Sequence, residues 1–319
     1  MKKAIVTGAT GFIGSVFVEY MTDRGVEVLA LGRKRREDLR PTRRDKLRDA
    51  HYLQIDMQEI SRLPQAAAEQ GWETGDDCAF INLAWGGVDR LSDLDVRAQM
   101  RNVVFAVNAL ESAQSMGCQR FVQIGTMEEA FTYRYLELDF HKNQEYNRHV
   151  IYAVAKIAAK NALKLKAGQV GMDFMYALNS HVMAPDDDKD SLLQVTLAKL
   201  ISGDELIFST GEQLFDVVSA IDCARGYYLI CQKGIPGKEY WVGSGQPKRL
   251  RDYIERMYQM YPSGQEMQFG AMPYNDVRLE ERDFSIAELV NDTGYSPTMT
   301  YEDSVRELYA SLVQSDRPG

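Results

Sequence analysis

Two hydrophobic periods alternate along the first two-thirds of the chain. Short aliphatic or β-branched runs at residues 4–7, 28–31, 52–55, 79–84, 121–124 and 174–178 predict strands. Longer amphipathic stretches between them predict helices at 12–24, closed by Gly25, at 96–116, stopped by Gly117, and from about 148 to 166. A loop is expected between residue 124 and the last of these helices. Strands alternating with helices in this way predict an α/β protein with a Rossmann-type, doubly wound parallel sheet. The last third is more mixed, with helices expected at 192–201, 223–231, 250–258 and 301–312 and a short strand at 240–242. We therefore expect residues 1–178 to form the main domain, built on this sheet. Residues 179–319 should form mainly a smaller α/β lobe, with some segments returning to the first domain.

Composition adds limits. The 319 residues are 45% hydrophobic and 26% charged, as in ordinary globular proteins, and the net charge is −9. That balance disfavours nucleic-acid and membrane partners. No signal-peptide core and no run of ~20 apolar residues appears, so a cytoplasmic location is expected. The four cysteines lack CxxC spacing and read as reduced core thiols; with four histidines and no paired His/Cys spacing, no metal site is predicted.

Candidate chemistry begins at the first strand–helix junction. Thr7-Gly8-Ala9-Thr10-Gly11-Phe12-Ile13-Gly14 sets three glycines where a dinucleotide turn would need them. Gly8 permits the tight turn, Gly11 lets amides approach a pyrophosphate, and Gly14 allows close helix–sheet packing. An NAD-selective site has an acidic residue at the end of the second strand; here the chain reads Gly32-Arg33-Lys34-Arg35-Arg36. Arg33, with Arg35 or Arg36, would neutralise a 2′-phosphate and favour NADP(H) over NAD(H), against the alternative of a solvated basic loop. Asp56, next to Met57, suits the adenine amine, and Leu83-Ala84 would lie along the cofactor.

Tyr152 and Lys156 stand four residues apart, on one helical face. A neighbouring cation stabilises phenolate and prepares tyrosine for proton transfer. Thr126 ends the fifth strand, where its hydroxyl can bond a substrate oxygen.

These motifs together resemble the extended short-chain dehydrogenase/reductase superfamily, in its nucleotide-sugar epimerase/dehydratase/reductase branch. Further matching segments are Asn82-Leu83-Ala84, Asn102-Val103 and Tyr240-Trp241-Val242-Gly243-Ser244-Gly245. Glu212–Asp216 and Asp292–Pro297 look more like the CDP-sugar 4-ketoreductases of the abequose and paratose synthase type. The resemblance implies a Thr126/Tyr152/Lys156 centre, hydride exchange at C4 of a sugar, a nucleotide diphosphate held by the C-terminal lobe, and a homodimer. Dehydratases of the family carry Asp-Glu after the threonine. Here Met127-Glu128 stands there, so the acid is missing while Glu128 remains as a possible base. Trp85 is expected at the sugar, and Met127 either lines that pocket or fills a gap in the packing. His181 is a candidate substrate contact or acid, or else a structural histidine at a turn, and Arg278, with Arg282, is a candidate diphosphate clamp or a surface charge.

The leading expectation is an NADP(H)-dependent reductase of a nucleotide-activated 4-keto-deoxysugar. The alternatives are an epimerase or dehydratase that recycles its hydride internally, and a non-catalytic NADP(H) sensor.

Overall fold

The computed structural model describes residues 1–75, 77–87, 95–138, 151–185, 187 and 191–315. The first half runs β1 (Lys3–Thr7), α1 (Phe12–Thr22), β2 (Glu27–Gly32), α2 (Pro41–Lys46), β3 (His51–Gln54), α3 (Leu63–Glu69), β4 (Cys78–Asn82), α4 (Val96–Ser115) and β5 (Arg120–Ile124). It continues with α5 (Glu128–Leu136), α6 (Ile151–Val170), β6 (Asp173–Asn179), β7 (His181–Met183), α7 (Leu192–Ser202), β8 (Leu206–Phe208), β9 (Leu214–Phe215) and β10 (Val217–Ser219). Last come α8 (Ala220–Lys233), β11 (Glu239–Val242), β12 (Lys248–Arg249), α9 (Leu250–Met260), β13 (Met267–Phe269), α10 (Ala287–Thr293) and α11 (Tyr301–Ser315).

Seven strands form one sheet in the order β11-β6-β5-β4-β1-β2-β3. Every pairing in it is parallel. Helices on both faces bury the strands, which is why β4 reads as a continuous apolar run without alternation. The chain moves outward from β1 through β2 to β3, then returns to β4 on the other side. That reversal opens a crevice at the carboxyl ends of β1 and β4, where ligands of such sheets bind. Three small two-stranded sheets, β10-β7, β12-β9 and β13-β8, lie outside the main one. Leu193, Leu197, Ile254, Met257, Val305 and Leu308 from α7, α9 and α11 share a separate core.

Boundaries differ from the sequence pattern for local reasons. The first helix ends at Thr22, two residues early, because the chain turns through Gly25 at φ +73°. Strand β4 stops at Asn82, after which the backbone crosses Gly8. The expected loop after β5 contains α5, whose N-cap is Met127 and whose first turn is tied back by the Thr126 amide donating to Glu129. The predicted helix start at Arg148 lies outside the described residues.

A buried carboxylate ties β10 to the main sheet. Asp216 accepts from the Ser180 hydroxyl at 2.5 Å, from the Ser244 amide at 3.0 Å and from the Ser244 hydroxyl. Burial pushes its pKa up, and these donors pull against the rise. Trp241 Nε1 donates to Ser180 Oγ at 2.7 Å, completing the cluster. The four cysteines are buried thiols. Among the described residues, no helix is long and apolar enough to cross a membrane.

Candidate active site

The glycine turn is built by exclusion of side chains. Gly8 has φ +66°, and a Cβ there would lie 2.8 Å from the Ala84 amide nitrogen. A Cβ on Gly14 would lie 2.1 Å from the Gly8 carbonyl oxygen, so α1 can start here only with glycine at that position. Gly11 caps α1 with no side-chain hydrogen bond, leaving the first-turn amides to the groove. Thr10, Phe12 and Ile13 line that groove beside the glycines.

A polar ladder fixes the strand ends above which the groove runs. The Thr7 hydroxyl donates to Asn82 Oδ1 at 2.5 Å and accepts from the Ala84 amide at 3.1 Å. Asn82 Nδ2 donates to Gln123 Oε1 at 2.7 Å, and Gln123 Nε2 to the Ile124 carbonyl at 3.0 Å. Thr7, Asn82 and Gln123 are all buried. Partnered throughout, such a network holds the strand ends rigid. The same Ile124 carbonyl accepts from Lys156 Nζ at 2.8 Å, so the ladder reaches from the glycine turn to the lysine.

At the β2 end, Arg33 is exposed and faces the cavity. Arg36 is directed elsewhere: its guanidinium donates to the Leu47 carbonyl at 2.7 Å and the Arg48 carbonyl at 3.1 Å, and it does not line the cavity. Arg35 pairs with Asp38 at 3.2 Å. Their place is taken by Arg43, a residue the sequence reading missed. It is buried on α2, lines the cavity, and donates to the Thr10 carbonyl at 3.2 Å. The spacing Leu39, Arg43, Leu47, all buried, was the available signal. Asp56 and Met57 line the cavity beyond β3, Asp56 accepting from the Gln58 amide at 2.9 Å.

At the other end, α6 carries Tyr152 and Lys156, both buried and both lining the cavity with Thr126. The Trp85 ring stands edge-on to Tyr152, centroids 6.2 Å apart, and its Nε1 donates to Gln99 Oε1 at 2.8 Å. Thr126 Oγ1 accepts from the Glu128 amide at 3.4 Å. The cavity encloses about 510 Å³ and brings together every predicted cofactor residue except Arg35 and Arg36. Of the predicted substrate contacts only Trp85 lines it. Met127 is half-buried and packs against the core, its amide bonded to the Asn179 carbonyl at 3.2 Å. His181 packs on Phe215 at 5.1 Å, and Arg278 is exposed beside Tyr274. Glu128 is half-buried and outside the cavity lining.

Residues 4–243 match the model of the family described as NAD dependent epimerase/dehydratase. The chain belongs to that family. A dTDP-glucose 4,6-dehydratase of Neisseria meningitidis is 22% identical, over 96% of this chain and 92% of the relative. A dTDP-4-dehydro-6-deoxy-D-allose reductase of a Streptomyces species is 25% identical over 73% of each chain. In three dimensions, the structure of RMD from Pseudomonas aeruginosa complexed with NADPH superposes with a TM-score of 0.72 at 19% identity, covering 98% of this chain and all of that one. The family members are NAD(P)-dependent nucleotide-sugar enzymes, and the groove fits such a cofactor. It has glycine where any Cβ would fill the cradle, free helix amides for a pyrophosphate, and a cavity open from Arg33 to Tyr152.

Proposed function

We propose that this protein is an NADP(H)-dependent reductase of the 4-keto group of a nucleotide-activated deoxysugar. One observation carries the reading: a single cavity is lined at one end by Arg33 and Arg43 and at the other by Thr126, Tyr152 and Lys156. Two guanidiniums and no carboxylate at the β2 end suit a 2′-phosphate, for which planar forked donors are well matched. Asp56 takes the adenine amine, and the amides of α1 take the pyrophosphate.

A bound dihydronicotinamide supplies the hydride. Thr126 and Tyr152 donate hydrogen bonds to the C4 carbonyl oxygen of the sugar and polarise it. As C4 accepts the hydride, the oxygen takes the proton from Tyr152 Oη. Lys156, held by the Ile124 carbonyl, stabilises the phenolate that remains and holds the nicotinamide ribose. Met127, where dehydratases of the family carry an acid, has a thioether that cannot protonate a leaving hydroxyl, which favours reduction over loss of water. The reductase among the relatives supports the same choice.

The C-terminal lobe, residues 179–319, would hold the nucleotide of the substrate. Val96 and Val104 on α4 and Val154 and Leu165 on α6 are exposed apolar residues on two helices that pack together, a face suited to a second copy of the chain in a cytoplasmic homodimer. The test is net NADPH oxidation with a dTDP-4-keto-6-deoxyhexose. The reductase consumes one NADPH per product, whereas an epimerase or dehydratase converts sugar with no net consumption.

A further inference from the structure

A buried carboxyl group lies against the backbone of Thr126. Glu129, in the first turn of α5, is fully buried. Its Oε1 accepts from the Thr126 amide at 3.1 Å and from the Tyr176 hydroxyl at 2.7 Å. Its Oε2 makes no hydrogen bond and lies 3.5 Å from the Lys160 ammonium, which itself bonds Glu239 at 2.6 Å. The backbone rests directly on this group: a Cβ on Gly125 would lie 2.4 Å from the Tyr176 ring and 2.6 Å from Glu129 Oε1. Burying the Glu129 charge is costly, and the cost is offset only by partners aimed at it. Those partners join the carboxylate to Thr126 on one side and, one helical turn along α6, to Lys156 on the other.

We propose that Glu129 is a positioning residue: it seats Thr126 through the backbone amide, and its charge keeps the Tyr152–Lys156 pair protonated. The inference rests on the reading of that pair as the proton-transfer unit. Around the pair stand Lys160 on α6, Tyr133 on α5, Tyr176 on β6, Glu239 on β11 and Tyr227 on α8. Burial pushes the Tyr176 and Tyr227 phenols well up, so neither adds charge in the working range. Burial also raises the Glu129 carboxyl, opposed first by Lys160, then by the Tyr176 hydroxyl, Lys156 and the Thr126 amide. Removing an anion lowers the pKa of every neighbour, and removing a cation raises it.

The experiment is a pH titration of the whole chain labelled at the tyrosine ring carbon bearing oxygen, read by carbon NMR without cofactor or sugar, with Tyr152→Phe assigning the resonance. Glu129→Gln is expected to lower the Tyr152 midpoint by about one pH unit. Lys160→Gln is expected to raise it, and Glu129→Asp, which keeps the charge, to leave it near the wild type. A Tyr152 resonance that behaves alike in all variants overturns the proposal. If Glu129→Gln does not fold, Lys160→Gln decides by the presence or absence of its upward shift. Because no turnover is read, absent NADPH oxidation would sink the reductase reading and leave this one standing, while NADPH oxidation with unshifted midpoints would do the reverse.

Discussion

The ammonium of Lys156 lies 4.0 Å from the centroid of the Trp85 indole, and the indole is anchored to Gln99. This cation–π contact covers the charge in a site where it is largely desolvated. A nicotinamide ribose bound by Lys156 must share or displace that cover. NADPH should therefore change tryptophan emission, and Trp85→Phe should remove most of the change while Trp72 and Trp241 remain as internal references.

Tyr152→Phe should lower NADPH-dependent reduction ~10²–10⁴-fold, the usual contribution of a positioned proton donor. Cofactor affinity, measured by fluorescence titration, should stay within a few-fold, because the glycine turn and Arg33 are untouched. Equal loss of binding and turnover would point to a structural tyrosine.

Arg33→Ala should weaken NADPH binding about ten- to a hundredfold, the worth of one or two charge-assisted hydrogen bonds, and leave NADH nearly unchanged. Arg36→Ala should not discriminate between the two cofactors, since its guanidinium serves the Leu47 and Arg48 carbonyls. Calorimetric titration of both variants with both cofactors measures the difference.

The basic run after β2 showed in the sequence that positive charge gathers at this end of the groove, but not which side chains face it. Arg36 turns instead to the Leu47 and Arg48 carbonyls, while Arg43, which no motif marked, is buried on α2 and lines the cavity. Motifs whose spacing lies within one element, such as Tyr152 with Lys156 or Gly8 with Gly14, were legible. Contacts between distant segments were not: the ladder from Thr7 through Asn82 to Gln123 joins three strands, and nothing in any one of them announces it. His181, Met127 and Arg278 were chosen by position along the chain, and none of the three is among the residues lining the cavity. Glu129 carries no motif in the sequence, and its partners Tyr176 and Lys160 come from β6 and α6.

Asp216→Ala should cost about 3 kcal/mol in chemical denaturation, because the buried Ser180 hydroxyl and Ser244 amide lose their acceptor. Asp216→Asn, which keeps one acceptor oxygen, should cost less.

Stability should fall in acid for a separate reason. Asp252 beside Arg249, Asp292 beside Lys238, Glu302 beside Arg256 and Asp303 at the Thr300 cap all have carboxyl pKa values below the ordinary range. Groups depressed in the folded state stabilise it above their unfolded pKa, about 4, and the gain disappears as pH drops through the folded values. The melting temperature should hold from neutrality to about pH 4 and then decline, and Asp292→Asn should flatten part of that decline.

The most direct test uses NADPH carrying deuterium at the transferable position of the nicotinamide, with a dTDP-4-keto-6-deoxyhexose as substrate and mass spectrometry of the sugar product. The account predicts one deuterium per product, located at C4, and its loss in Tyr152→Phe along with turnover. Conversion of the sugar with no deuterium incorporated would contradict it.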